Sequence, residues 1–241
     1  MGSPVRYTFG VSTRAKQSLL GNYPIPDPFH TGSNPGLGVF SYQNDFTDLG
    51  NAASRTITGT STTFALADGV GGVGVLTPGG TTTVSSVFRT AAAFQFVAGR
   101  QFWFVHRIKA SAVTGNQVLS FGVTKVSGGT AATTDRLMFV KAAGSTSLNL
   151  VSTVNNTATT LVTGVATCAD DTYLDVGFYY DGTDLIVFSD DAVVARVAAP
   201  TIGTTGTTLT NAVMSPIFGI TPVATETVSI DYALIAQEIA R

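Results

Sequence analysis

The sequence predicts an all-β protein built as a sandwich of antiparallel sheets. Three observations carry that prediction. Apolar and polar residues alternate in short runs, turn residues separate the runs, and no stretch keeps a helical period. At 241 residues the chain suits one large β domain behind a short leading segment.

The leading segment, residues 1–40, holds Pro4, Pro24, Pro26, Pro28 and Pro35 out of nine prolines. Proline removes ladder donors, so Gly21–His30 is not a central strand. It reads as an extended, polyproline-like arm that also carries Tyr23, Ile25 and Phe29. A free linker would avoid those side chains. The expectation is an arm pinned against its own domain or against a neighbouring subunit, with a loose terminus as the alternative.

Residues 41–241 read as the sandwich domain. Val84–Phe96 alternates loosely. In Gln101–Lys109, Phe102, Phe104, His106 and Ile108 share one face, and Trp103, Val105, Arg107 and Lys109 the other. Val118–Val126, Arg136–Lys141 and Ser147–Val154 follow, and Asn155-Asn156 marks a turn. Leu174, Val176, Phe178 and Tyr180 then form one strand face, and Asp181-Gly182-Thr183-Asp184 supplies a hairpin turn. Leu185–Phe188 and Val193–Val197 complete that unit. The last strand, Val228–Ile235, puts Val228, Ile230, Tyr232 and Leu234 on one face, and Ala233–Ala240 reads as ending in a short helical turn.

Composition narrows the function. Charged residues are 12% of the chain, against about 25% in an average domain. A weakly charged surface suits close contact with other protein, because charges are costly to desolvate. The net charge of −2 and the lack of any long Lys/Arg cluster argue against a nucleic-acid partner. No apolar run approaches the length of a membrane-spanning helix, and the start lacks the apolar core of a signal peptide. The single cysteine, Cys168, forms no internal disulfide.

From Phe88 onward the strand order resembles the concanavalin A-like (lectin/glucanase) jelly roll. Gly99–Ile108 with Leu119–Val123 carries the resemblance, as does Tyr173–Gly182 with Ile186–Phe188 and the Asp190-Asp191 turn. Pro216–Ile220 with Val228–Ile235 completes it. With its Pro-rich arm, and Leu19–Pro28 above all, the chain is similar to the capsid decoration (head-stabilising) proteins of tailed bacteriophages. The resemblance implies a structural protein on the capsid exterior, assembled in the host cytoplasm. It would bind the major capsid protein and its own copies, as a homotrimer or another homo-oligomer. Tyr23, Pro24, Ile25, Pro26, Pro28 and Phe29 would make those contacts.

Tests for chemistry point the same way. A glucanase needs two carboxylates about 5–9 Å apart, and no strand here carries an E-x-D-x-x-E-like run; Asp175 and Asp231 each stand alone on their strands. His106 reads as a buried, hydrogen-bonded structural residue, and Cys168 as an inert thiol. The aspartates at 170–171, 181, 184 and 190–191 lack calcium-loop spacing and read as turn formers. The expectation is therefore a protein that is not an enzyme, with no catalytic, cofactor-binding or metal-binding residue. Sugar binding is the rival function, with Trp103, Tyr179, Tyr180 and Tyr42 as candidate platforms.

Overall fold

The structure, a computed structural model, describes residues 7–8, 11–12, 38–47, 52–68, 72–81, 84–127, 130–190 and 192–239. Tyr23, Pro24, Ile25, Pro26, Pro28 and Phe29 of the expected arm lie outside the described residues. Ahead of the sandwich, β1 (Tyr7–Thr8) and β2 (Val11–Ser12) pair as a two-residue ladder.

Two antiparallel sheets make the body. Sheet I contains β4 (Arg55–Thr58), β7 (Ser85–Arg89), β9 (Val118–Ser127), β10 (Thr130–Lys141), β11 (Ser147–Val154), β12 (Thr157–Thr167) and β18 (Met214–Thr221). Its order is β12-β11-β10-β9-β18-β7-β4. Sheet II contains β5 (Thr63–Ala67), β6 (Val73–Thr77), β8 (Phe102–Ala110), β13 (Leu174–Tyr180), β14 (Leu185–Ser189), β15 (Ala192–Val197) and β19 (Val228–Ile239). Its order is β15-β14-β13-β8-β19-β6-β5, and β3 (Gly38–Asn44) joins it beside β19. A short parallel pair, β16 (Ile202–Gly203) with β17 (Leu209–Thr210), lies outside both sheets.

The period-2 pattern sets the core. Phe102, Phe104, His106 and Ile108 of β8 face inward with Val176, Phe178 and Tyr180 of β13. Leu119, Phe121 and Val123 of β9 and Leu137 and Phe139 of β10 meet them from sheet I. Aromatic pairs fill the interface: Phe104 and Phe178 stack at 4.8 Å, and Phe121 and Phe139 at 5.4 Å. Turn chemistry closes the hairpins. Asn155 and Asn156, at φ of 49° and 66°, join β11 to β12. The Asp181 carboxylate accepts from the N–H groups of Thr183 and Asp184.

Three expectations are corrected. First, β19 bulges between Ile230 and Tyr232. The extra residue flips the pattern, so Ala233 and Ile235 enter the core while Tyr232 and Leu234 join the outer face. Second, residues 233–239 stay extended, because β3 and β8 both pair with them, and no helical turn forms there. Third, His106 is fully buried among Phe104, Phe121 and Phe218, but neither ring nitrogen has a hydrogen-bond partner among the described residues. Burial pulls its pKa down to about 3, so the ring is neutral.

Candidate functional site

A cleft of about 420 Å³ opens between the sheets, where β4 and β5 form their margins. Strand register explains its lining. The β4–β7 ladder sets Arg55 opposite Arg89, so both side chains lie on the inward face of sheet I. On the other wall, β3 pairs with β19 so that Tyr42 sits opposite Ile235 and Asn44 opposite Ala233. The Arg89 guanidinium lies 4.6 Å from the Tyr42 ring centre, and Arg55 lies 6.0 Å from that of Phe64.

The chain leaves β3 through a tight turn. The Asn44 side-chain oxygen accepts from the Phe46 N–H at 2.7 Å, and holds Phe46 at a φ of 54°. A bulky residue rarely adopts that conformation, which costs about 1–3 kcal/mol. The turn drives the Phe46 ring edge-on against Phe64 at 5.9 Å and Phe218 at 6.4 Å, and these rings form the cleft floor. Gly74 makes this packing fit: a Cβ there would stand 2.6 Å from Phe64 and 2.8 Å from Phe46. Asn44, Asp45, Thr47 and Ser54 supply polar groups to the walls and rim. Asn44 donates to the Tyr42 hydroxyl at 3.2 Å, which fixes the ring's tilt.

Among the four aromatic residues picked from sequence, only Tyr42 reaches this cleft. Trp103 is buried on the outer face of sheet II, stacked on Tyr179 at 5.5 Å. Tyr180 belongs to the core and donates to the Gly182 carbonyl. Arg55, Arg89, Phe46 and Phe64 were not legible as site residues, because each belongs to a different segment.

The carboxylates converge in ways that single strands conceal. Asp175 and Asp231 both engage Arg107, at 3.3 and 2.9 Å, and the Tyr232 hydroxyl donates to Asp175. Asp184 pairs with Arg196 and accepts from the Ala199 N–H; these bonds hold its carboxyl below the usual range. Asp170 accepts from the Val113 N–H, Asp171 pairs with Lys109, and Asp190 accepts from the Asp175 N–H. Among the described residues no group of three or more His, Cys, Asp or Glu side chains is arranged to hold a metal.

Two further buried groups stand apart from the cleft. Lys141 is fully buried and donates to the Gly115 and Gln117 carbonyls, and burial lowers its pKa. Burial pushes the Cys168 thiol up to about 11, which leaves it unreactive. A second cleft of about 450 Å³ lies beside Lys125, Asp135, Asn155 and Thr210. There Asp135 accepts from the Asn155 N–H, Thr134, Thr210 and Lys125. Burial opposes ionisation of its carboxyl, but these bonds prevail and lower the pKa.

No family model and no curated protein matches the sequence. Solved structures do match the fold. An endo-1,3-β-glucanase from Streptomyces sioyaensis superposes with a TM-score of 0.58 at 12% identity, covering 84% of this chain and 96% of its own. A β-glucanase of Bacillus licheniformis gives 0.56 at 10% identity, covering 83% and 98%. A carbohydrate esterase from the Shiga toxin-encoding bacteriophage phi24B gives 0.53 at 16% identity, covering 85% and 100%.

These neighbours overturn the expectation that the chain is not an enzyme. Each is named as an enzyme acting on carbohydrate, so the scaffold is one on which such catalysis is built. The sequence test sought two carboxylates on one strand, and carboxylates of different strands, such as Asp175 of β13 and Asp231 of β19 on Arg107, converge only in the folded sheet. The chain has the concanavalin A-like jelly-roll fold of glucanases, at identities that show the fold alone.

Proposed function

We propose that the chain binds carbohydrate in the cleft between Tyr42 and Arg89. One observation carries this reading: aromatic surface running from the half-buried Tyr42 down to the buried Phe46, Phe64 and Phe218 lies beneath a rim of amide and hydroxyl groups. A sugar ring has apolar C–H faces and polar edges, and an aromatic platform with a few placed polar groups suits both. Tyr42 offers its ring and Asn44, Thr47 and Ser54 offer donors and acceptors. A glycan array with the purified chain and with Tyr42→Ala tests it. Binding to one glycan class, lost in the variant, is the expected result; no binding to any glycan removes the proposal. Assaying the bound glycan for turnover in the same samples separates a binding site from a catalytic one.

We also propose a setting: the exterior of a phage capsid, with the major capsid protein and further copies of this chain as neighbours. Support comes from the phage esterase, whose whole length is matched, and from the low charge of the sequence. Strand β15 adds to it, as an open sheet edge with Val193 at 61% and Val194 at 42% exposure. Deleting residues 2–35 is expected to leave the sandwich folded while abolishing capsid attachment and oligomer formation. Unchanged attachment of the truncated chain contradicts this setting.

A further inference from the structure

We propose that the cleft selects an acidic saccharide, one whose carboxylate is held by Arg89 with Arg55 beside it. This deepens the carbohydrate reading above and rests on it. Three features point to an anion. The β4–β7 register sets Arg55 and Arg89 directly opposite each other on one face. Both line the same cleft. Among the described residues the Arg89 guanidinium makes neither an ion pair nor a hydrogen bond; it lies over the face of Tyr42.

The carboxylates elsewhere show how other arginines in this chain are paired. Arg107 holds Asp175 and Asp231, and Arg196 holds Asp184. Arg89 is partly buried, and its nearest acidic cleft residue, Asp45, is exposed at the rim and forms no ion pair with it. A guanidinium presents a planar fork that fits a carboxylate with two parallel hydrogen bonds. The Tyr42 ring beneath it fixes the plane of that fork, because the cation stacks on the face. A carboxylate docked on Arg89 would place the attached sugar ring over the Tyr42–Phe46 side of the cleft. The chemical class is therefore a uronic or sialic acid unit within a glycan, rather than a neutral glucan.

Calorimetric titration of the full chain tests this with matched probes: oligogalacturonate, oligoglucuronate and 3′-sialyllactose, each beside its methyl ester. Esterification removes the charge and leaves the sugar. At least one free acid is expected to bind about tenfold more tightly than its ester, as a charge-assisted hydrogen bond implies. Arg89→Gln and Arg89→Lys should both abolish that preference, since lysine keeps the charge but loses the fork. Lys125→Gln, remote from the cleft, should leave it intact, and circular dichroism checks that each variant is folded. Equal binding of acid and ester overturns the acidic selection while leaving the carbohydrate site standing. Equal binding of propane-1,2,3-tricarboxylate and the best acidic glycan shows an anion site without sugar recognition, and overturns both readings.

Discussion

Two clefts of similar size, about 420 and 450 Å³, differ in how their charges are used. In the second, Asp135 is surrounded by four donors from four separate residues, and Lys125 closes the group from the solvent side. Those four bonds tie β10 to the β17 end of the sandwich. In the first, Arg89 has an aromatic face and no acidic partner among the described residues, and Phe46 is held in an unfavourable backbone conformation in the same cleft. Saturated charge marks the part of the molecule that holds itself together. Unsaturated charge over an aromatic floor marks the part left for something else.

Four substitutions test that contrast, from the largest effect to the smallest. Asp135→Ala strips the partner from four donors and is expected to destabilise the fold by about 2–4 kcal/mol. Urea denaturation measures it, and a loss under 1 kcal/mol would mean the network is ornamental. Gly74→Ala drives a methyl into Phe64 and Phe46 and should cost about 1–3 kcal/mol while closing the cleft. Ligand binding should vanish even in conditions where the variant remains folded.

His106→Leu should stabilise the protein by about 1–2 kcal/mol at neutral pH, because it removes a buried imidazole with no hydrogen-bond partner among the described residues. The pH dependence follows from its depressed pKa. Above pH 6.5 the ring is neutral whether folded or unfolded, so stability is at its full value. Between 6.5 and about 3 the unfolded chain takes up a proton that the folded chain refuses, and stability falls by about 1.4 kcal/mol per pH unit. The depressed carboxyls of Asp135, Asp184 and Glu226 lose their contribution only at lower pH, below the ordinary carboxylate range. The slope between pH 6.5 and 5 should therefore flatten in His106→Leu. Arg89→Gln closes the series: it removes no ion pair among the described residues and only the stack on Tyr42, so stability should fall by about 0.5–1 kcal/mol.

The fold was legible where alternation is strong. Strands β8, β13, β14 and β15 fall at the positions their apolar periodicity predicts, because both faces of each strand are committed, one to the core and one outward. Strand β12 was not, since Thr157–Thr167 is an edge with few buried residues and carries almost no pattern. The face of Tyr232 was missed because a bulge is a property of pairing with β8, not of the β19 sequence. The cleft was the least legible of all. Tyr42, Phe46, Arg55, Phe64, Arg89 and Phe218 come from scattered segments, and only the register of ladders in both sheets brings them together. Tyr42 was a candidate for its ring alone, and nothing in its local sequence announces the arginine above it.

Mapping amide chemical shifts during titration with the best-binding glycan tests the central claim most directly. The account predicts perturbations gathered at Tyr42–Thr47, Ser54–Arg55 and Val87–Arg89, the residues that line the first cleft. Perturbations centred on Trp103, Tyr179 and Val193 on the outer face of sheet II, with the cleft unmoved, would contradict it.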